Sequence, residues 1–288
     1  MNTSEKDIFY GFEVADVPFS VECPFALDGG KYAGRFSKKV SFSSFVCTVS
    51  ECDGFAPAKG EKVLDDYLTR LYLDGGDITN DQIFSPAGRI LFRSHYAVSQ
   101  KDVIPVEVDR TAKEFLKQDN LWTAIDLPYQ LSFHGVLVLH SSSVDIGGRA
   151  ILFCAPSGTG KSTQAGLWEK YRGAKQMNGD KNAIRLRGNV PCAFGLPFCG
   201  SSDVCENYAL PIAAIVVLSQ AKENTIRRLG FIQAVSAISN NCVGHNVIPG
   251  TVGRITNTAV DIASVLPVYH LACTPDERAV ETLEKVIL

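Results

Sequence analysis

The stretch Arg149-Ala-Ile-Leu-Phe-Cys-Ala-Pro-Ser-Gly-Thr-Gly-Lys-Ser-Thr163 decides the fold of this chain. Its apolar run, residues 151–154, predicts a buried strand, and residues 164–171 follow with apolar side chains at helical spacing. A glycine-bearing loop between a strand and a helix is the context that indicates a phosphate-binding loop, or P-loop. The alternative is a chance Gly-Lys-Ser in a turn, which the flanking strand and helix disfavour.

Phosphate binding explains the residue types in this loop. Gly158 and Gly160 let the backbone curl so that N–H groups point at phosphate oxygens, and the following helix adds the positive end of its dipole. Lys161 can reach the β- and γ-phosphates, and Ser162 can hold Mg²⁺. Ala155 replaces the usual first glycine and fits if its φ stays negative. The predicted nucleotide-binding residues are Ser157, Gly158, Thr159, Gly160, Lys161, Ser162 and Thr163.

Composition limits the classes of function. At 288 residues the chain can bury a large core without disulfides or metal, and its net charge of −3 argues against a nucleic-acid footprint. It has no apolar run of transmembrane length, and residues 1–7 are polar, unlike a signal peptide. The nine cysteines are predicted to be reduced, buried thiols of a cytoplasmic protein. Among them Cys192, Cys199 and Cys205 lie close together, but without the spacing of a zinc site.

The first 120 residues are predicted to be mostly β, as a scaffold or for substrate recognition. Short β-branched and aromatic segments at 9–14, 39–46 and 89–97 predict antiparallel strands, and Glu61–Tyr72 is predicted to be a helix. Residues 121–288 are predicted to form the P-loop domain.

The second part predicts a mixed arrangement. An amphipathic helical segment at 120–134 leads into a strand at 135–146, and Gly147-Gly148 predicts a tight hairpin into the P-loop strand. Asp180 follows the P-loop helix, where a carboxylate could face Mg²⁺. Residues 193–203 are either a mobile substrate loop or a connector. Further strands are predicted at 211–218, 224–229 and 267–273, and further helices at 231–243, 253–265 and 275–288.

These motifs resemble the kinase domain of HPr kinase/phosphorylase, which shares its P-loop core with phosphoenolpyruvate carboxykinases. His140 stands fifteen residues before Ala155, at that family's spacing, and Ser157–Ser162 fits its loop. Gly179-Asp180 fits the family's acidic pair only in part, because one carboxylate is missing. The stretches Leu-His-Ser-Ser-Ser-Val, Asn-Gly-Asp and Gly-Leu-Pro-Phe-Cys-Gly are similar to shorter kinase-like proteins found among peptide-modifying enzymes.

The resemblance implies an α/β fold, a mixed sheet with flanking helices, and an ATP- and Mg²⁺-dependent kinase acting on a serine or threonine hydroxyl of a peptide or small protein. It implies catalytic roles for His140, Lys161 and Asp180, with Mg²⁺ held by Ser162 and Asp180, although Asp180 must then choose between metal and base roles. Two alternatives remain open: a carboxykinase-like small-molecule enzyme and a nucleotide-dependent binding module. Neither nucleic acid nor a membrane is expected as a partner.

Other basic side chains have weaker claims. The remaining histidines are expected to be structural; they are His95, His134, His245 and His270. Arg227 or Arg228 could supply a charge-stabilising guanidinium, although at least one is expected to be an ordinary solvated residue.

Overall fold

The computed structural model describes residues 7–83 and 88–287. The first six residues, part of the segment from which no signal peptide is predicted, therefore lie outside the described residues, as does the end of the predicted closing helix. The chain divides into two compact units. The first holds the residues up to 134 together with 245–251, and the second holds 135–244 and 252–288.

The first unit is built on a sheet that has eight strands among the described residues. They are β1 (Ile8–Val14), β2 (Val17–Cys23), β3 (Val46–Cys52), β4 (Glu61–Asp65), β5 (Thr69–Asp74), β6 (Asp77–Ile83), β7 (Ile90–Ala97) and β8 (Val103–Asp109). They pair in the order β1-β2-β3-β8-β7-β6-β5-β4, and within the described range the pairs are antiparallel apart from β2–β3 and β3–β8. The predicted mostly antiparallel β region is confirmed.

Two short helices belong to the same unit: α1 (Gln118–Ala124) and α2 (Leu127–Ser132). Trp122 of α1 is fully buried, with its ring 4.8 Å from that of Phe12 and 5.8 Å from that of Phe19. This aromatic cluster fixes the helix against its own sheet. The helices therefore group with the first unit, so the division falls after residue 134, whereas the sequence analysis places it after residue 120.

Two local predictions in this unit are wrong. Residues 61–72 are not a helix but strands β4 and β5, because the Asp66 carboxylate accepts hydrogen bonds from the N–H groups of Leu68 and Thr69, at 2.8 and 2.7 Å, and closes a turn. The predicted strand at 39–46 is also wrong, since β3 begins only at Val46. The serine-rich segment before it is held from β2, where Ser44 N donates to the Pro18 carbonyl at 2.7 Å.

The second unit contains the P-loop. Its strands are β9 (Val136–Asp145), β10 (Ala150–Cys154), β11 (Lys175–Asn178), β12 (Lys181–Arg187), β13 (Val190–Gly195), β14 (Ala209–Gln220), β15 (Thr225–Arg228) and β16 (Val268–Cys273). The helices after residue 135 are α3 (Lys161–Arg172), α4 (Phe231–Asn240), α5 (Thr251–Val265) and α6 (Glu277–Ile287). The strands pair in the order β10-β9-β12-β13-β14-β16-β15, β11 joins β9, and β10 also pairs in parallel with β14. The predicted mixed sheet with flanking helices is confirmed.

Strand β10 is apolar throughout because both faces of the sheet are covered. Ile151 and Phe153 pack in one cluster with side chains of α3 and α6, and Leu152 and Cys154 pack in another with side chains of α4 and α5. A strand buried on both faces reads as a continuous apolar run instead of an alternating one. Over residues 7–83 and 88–287, no helix combines the length and apolar character needed to cross a membrane.

Candidate functional site

A tight hairpin feeds the phosphate loop, as predicted. Strands β9 and β10 pair antiparallel, and Gly147 and Gly148 between them have φ values of 68° and 87°. Two consecutive positive φ angles are costly for residues with a Cβ and typical of two-residue hairpin turns. The hairpin aims the C-terminal end of β10 at the loop that begins with Ala155.

The loop has the backbone that a phosphate cradle requires. Gly158 and Gly160 have φ values of 78° and 121°, which disfavour any residue with a Cβ, and α3 begins at Lys161. Ala155 is not among the described residues with positive φ, so the condition for replacing the first glycine is met. The Lys161 Nζ donates to the Ala155 carbonyl at 2.8 Å, and its side chain lies within the loop. Burial lowers the pKa of this ammonium group, which the nearby Asp180 carboxylate opposes.

Buried hydroxyls of β9 anchor the loop and the neighbouring strand. Ser142 Oγ donates to the Lys161 carbonyl at 2.9 Å, tying the first turn of α3 to β9. On the other side, Ser143 Oγ donates to Asn182 Oδ1 at 2.6 Å, and Asn182 Nδ2 donates to the Ser141 carbonyl at 2.7 Å. Because these four side chains are buried and bonded, the sheet beneath the loop has a single geometry.

His140 lies in the middle of β9, within the strand predicted at 135–146. The residues before 141 pair with β12 and those after 140 pair with β10, so His140 stands where the strand passes from one neighbour to the other. Its Nε2 is 3.4 Å from Asp180 Oδ1. Burial, and then the charge of Lys161, lower the pKa of His140 against the opposing pull of Asp180, which favours the neutral imidazole.

Asp180 sits in a turn that Asn178 holds. The fully buried Asn178 accepts hydrogen bonds through Oδ1 from the N–H groups of Asp180 and Lys181, at 2.9 and 3.1 Å. Its Nδ2 donates to the Leu196 carbonyl at 2.8 Å, and Ser141 N donates to the Asp180 carbonyl at 3.0 Å. The carboxylate therefore projects from a backbone fixed on both sides, with 29% of its side chain exposed.

The loop after β13 packs against this turn. A Cβ on Gly200 would lie 2.7 Å from the Asp180 Cβ, and a Cβ on Gly179 would lie 1.7 Å from Ser202 Oγ. The resemblance implies a second carboxylate beside Asp180, and at residue 179 the loop occupies the space that such a side chain would need. The segment is therefore closely packed against the turn that carries Asp180.

The prediction that all cysteines are reduced is wrong for one pair. Cys199 and Cys205 form a disulfide, with Cα atoms 5.1 Å apart, that closes this loop beside Asp180. The loop returns to the last residue of β11, where Cys205 forms an isolated antiparallel β-bridge with Asn178. Spacing alone did not show this because the turn at 200–202 decides whether the two sulfurs meet.

A cavity of about 450 Å³ adjoins the loop. Its lining combines loop and helix residues with the ends of β14 and β16, including Gly158, Thr163, Leu218, Gln220 and Thr274. Gln164 and Cys273 line it as well, with Gln164 Nε2 3.2 Å from Cys273 Sγ. A cavity of this size beside a phosphate cradle can hold the remainder of a nucleotide.

The donor set fits Mg²⁺ bound together with a nucleotide. Within the described residues, no group of three or more His, Cys, Asp or Glu side chains could hold a metal ion by itself. Mg²⁺ commonly takes one or two protein oxygens and completes its shell with substrate phosphates and water. The exposed Ser162 hydroxyl and the Asp180 carboxylate are oxygen donors of this kind.

The fold thus brings His140, Lys161 and Asp180 into one cluster, and the P-loop residues adjoin it. Among the described contacts, none joins Arg227 or Arg228 to this cluster. Both side chains are exposed on β15, and Arg227 Nη1 donates a hydrogen bond to Gln233 Oε1 at 3.3 Å. The sequence analysis missed Asn178 as the residue that holds Asp180. An Asn one glycine before a carboxylate is the signal that could have found it, since asparagine side chains commonly bond the backbone two residues on.

No protein-family model matches this chain, and no curated protein matches it in sequence. Among solved structures, the HPr(Ser) kinase/phosphatase from Coxiella burnetii is similar over 51% of this chain and 93% of its own, with 12% sequence identity and a TM-score of 0.30. A likeness of that degree does not establish the family, so the resemblance read from the motifs stays a prediction.

Proposed function

We propose that this chain is a P-loop kinase that uses ATP and Mg²⁺ to phosphorylate a serine or threonine hydroxyl of a peptide or small protein. The observation that carries the proposal is the cluster beside the P-loop. His140 and Asp180 are 3.4 Å apart, and the charge of Lys161 acts on both. A cation, a neutral imidazole and a carboxylate close together beside the loop support the proposal of phosphoryl transfer at this point.

The loop residues bind and orient the triphosphate. The N–H groups of residues 157–163 and the start of α3 direct positive charge at phosphate oxygens. Lys161 now donates to the loop's own carbonyl, and a phosphate would replace that acceptor with a charged one. The cavity beside the loop would take the nucleoside.

Ser162 and Asp180 would hold Mg²⁺, which when bound neutralises charge on the β- and γ-phosphates. Neutral His140 can donate a hydrogen bond from its ring to an oxygen of the transferred group. Positioning and charge stabilisation of this kind account for most of the rate enhancement in phosphoryl transfer.

In the proposed step, the acceptor oxygen attacks the γ-phosphorus as the bond to the β–γ bridging oxygen breaks. The products are ADP and a phosphoester. The hydroxyl proton passes to the Asp180 carboxylate if that residue acts as base. Asp180 is then the single side chain offered for both the base and the metal roles, because Gly179 supplies no second carboxylate.

Asp180→Asn, with Asp203→Asn as its control, tests the proposal. Both aspartates lie in the region of the disulfide loop, but Asp180 alone pairs with His140 in the contacts described. With labelled ATP and a panel of serine-bearing peptides, free serine and oxaloacetate, we expect the parent to label a peptide. Asp180→Asn should lower that rate about 100-fold, and Asp203→Asn less than about threefold.

Lys161→Ala should abolish nucleotide binding and labelling while leaving the melting temperature near that of the parent. Equal labelling by parent and Lys161→Ala would refute the kinase assignment, and phosphorylation of oxaloacetate alone would favour a carboxykinase-like enzyme. ATP binding without transfer to any acceptor would favour the nucleotide-dependent binding module. The packing at Gly179 favours this alternative specifically, because it leaves no room for a second carboxylate beside Asp180.

A cytoplasmic location is also part of the proposal, because seven cysteines among the described residues form no disulfide. The Cys199–Cys205 disulfide does not favour it, because stable disulfides are rare in a reducing compartment.

A further inference from the structure

Lys181 is a second lysine beside the Asp180 carboxylate. Its Nζ lies 3.7 Å from Asp180 Oδ2, and 29% of its side chain is exposed. Lys181 is also directly opposite His140 in the antiparallel pair formed by β9 and β12. Residues directly opposite one another project from the same face of a sheet, so Lys181 and His140 flank Asp180 on one surface.

The position of Lys181 is fixed by its neighbours. Asn178 Oδ1 accepts a hydrogen bond from its backbone N–H at 3.1 Å. Its ammonium group lies 4.6 Å from the centroid of the ring of Phe198, the residue before the loop that the disulfide closes. A lysine held at its backbone and along its stem loses less entropy on binding an anion than one free in solvent.

The local charge balance leaves room for an anion. Lys161 and Lys181 both act on the His140 ring, and one carboxylate, Asp180, stands between them. Two ammonium groups against one carboxylate give a formal surplus of one positive charge at a partly exposed surface. The γ-phosphoryl group carries negative charge over three oxygens during transfer, so a second cation in addition to the P-loop lysine would stabilise it.

An aromatic contact alone does not single out Lys181. Lys175 lies 5.6 Å from the centroid of the Tyr208 ring in the same unit, and that is an ordinary surface arrangement. What distinguishes Lys181 is the carboxylate within 4 Å and the imidazole across the strand pair. Lys175 is therefore a matched control, since it also sits at a strand and beside an aromatic ring.

We propose that Lys181 is a second cationic contact for the γ-phosphoryl group, in the role that the sequence offered to Arg227 or Arg228. The inference rests on the proposed nucleotide-dependent function, because it assigns a further residue to that site. It predicts a specific effect on the third phosphate, which ADP lacks.

The test compares two nucleotides in calorimetric titrations with Mg²⁺: ADP and the non-hydrolysable β,γ-imido analogue of ATP. Lys181→Met removes the charge and keeps an apolar stem over Phe198. We expect it to bind ADP like the parent and the triphosphate analogue about tenfold more weakly, the loss expected for one charge-assisted contact. Lys181→Arg should recover most of that loss, and Lys175→Met should bind both nucleotides like the parent.

Lys181→Met that binds both nucleotides like the parent would overturn the inference, as would an equal loss for ADP and the analogue. If Lys181→Met does not fold, as judged by its melting curve, Lys181→Gln is measured against the same two criteria. The two proposals fail separately. A parent that binds neither nucleotide refutes the proposed function and this inference with it, whereas a parent that binds both while Lys181 variants show no selective loss refutes the inference alone.

Discussion

One pair of charged or titratable side chains in each unit shows two opposite arrangements. In the first, Arg93 and Asp81 form a paired contact at 2.6 and 2.9 Å, with only 6% and 1% of their side chains exposed. A third hydrogen bond of Arg93 goes to the Ala56 carbonyl at 2.6 Å. In the second, His140 and Asp180 meet at 3.4 Å with 40% and 29% exposed. The first pair is closed: it is buried, and its charged groups are hydrogen-bonded within the protein. The second pair is open, because its imidazole and carboxylate are partly exposed and can still bond to a ligand.

This difference separates structural charge from functional charge. A buried ion pair whose donors are satisfied within the protein has no capacity left for a ligand, and breaking it leaves a charge without a partner. Groups at a longer distance and with solvent access can exchange their contacts for those of a substrate. The comparison therefore predicts an effect on stability when the Arg93–Asp81 pair is broken and an effect on turnover when the His140–Asp180 pair is broken.

The largest effect on stability is expected from Asp81→Asn, which leaves the Arg93 guanidinium buried without a charged partner. Loss of one member of a buried pair typically costs about 3–5 kcal/mol of unfolding free energy. Asp65→Asn is the matched control, because Asp65 pairs with Arg70 at 3.1 Å in the same sheet but with 42% and 29% of the side chains exposed. Exposed pairs contribute about 0–1 kcal/mol. Urea titrations of both variants measure the difference, and equal losses would remove the distinction between closed and open charge.

The next effect concerns His140. His140→Ala should lower the turnover number about 10- to 100-fold while changing the dissociation constant for ATP less than about threefold, because the ring is proposed to contact mainly the transferring group. His140→Asn keeps a neutral donor and should retain more activity than His140→Ala. Steady-state kinetics beside an ATP titration separates the two quantities.

His95 supplies a close control for that experiment. Its Nε2 lies 3.3 Å from Glu107 Oε2, with 42% and 38% of the side chains exposed, so it forms the same kind of pair in the first unit. His95→Ala should leave turnover within about twofold of the parent. Unchanged turnover in His140→Ala together with a lower melting temperature would make His140 a structural residue that only joins β9 to its neighbours.

The parts of the site that depend on local sequence could be predicted. Strand β10, the loop and α3 follow from an apolar run, two glycines and helical spacing within about twenty residues, and Gly147-Gly148 predicts the hairpin. Each of these rests on short-range backbone preferences, which the sequence displays directly.

The remaining parts depend on contacts between distant segments. Lys181 acquires its place from the register of β12 against β9, forty-one residues away, and nothing local distinguishes it from Lys175. The helix predicted over Glu61–Tyr72 is wrong because Asp66 closes a turn within a segment whose residues otherwise favour a helix. Ser202 from the disulfide loop fills the space beside Gly179. The packing of two distant segments therefore leaves no room for a side chain at residue 179, and the local sequence does not show this.

The smallest effect is expected at Asp126 in the first unit, a buried carboxyl whose burial is only partly compensated. Burial raises the pKa of this carboxyl, and His245, at 3.5 Å, and the Tyr96 hydroxyl, at 3.0 Å, offset part of the rise. Because the native state then holds the proton more tightly than the unfolded chain, the contribution of Asp126 to stability is greatest below the unfolded pKa near 3.8 and falls as the pH rises through the higher native value. Asp126→Asn should flatten this slope, since asparagine can accept the Tyr96 hydrogen bond and tolerates the positive φ of 49° at this position. Urea midpoints of the parent and Asp126→Asn, measured from pH 4 to pH 7, test it: the stability of the parent relative to the variant should fall as the pH rises. The exposed Asp28→Asn is the control, and its difference from the parent should not show this fall. A difference between the parent and Asp126→Asn that does not fall with pH would show that His245 fully compensates the buried carboxylate, and Asp126 would then belong with the closed pair of Asp81 and Arg93.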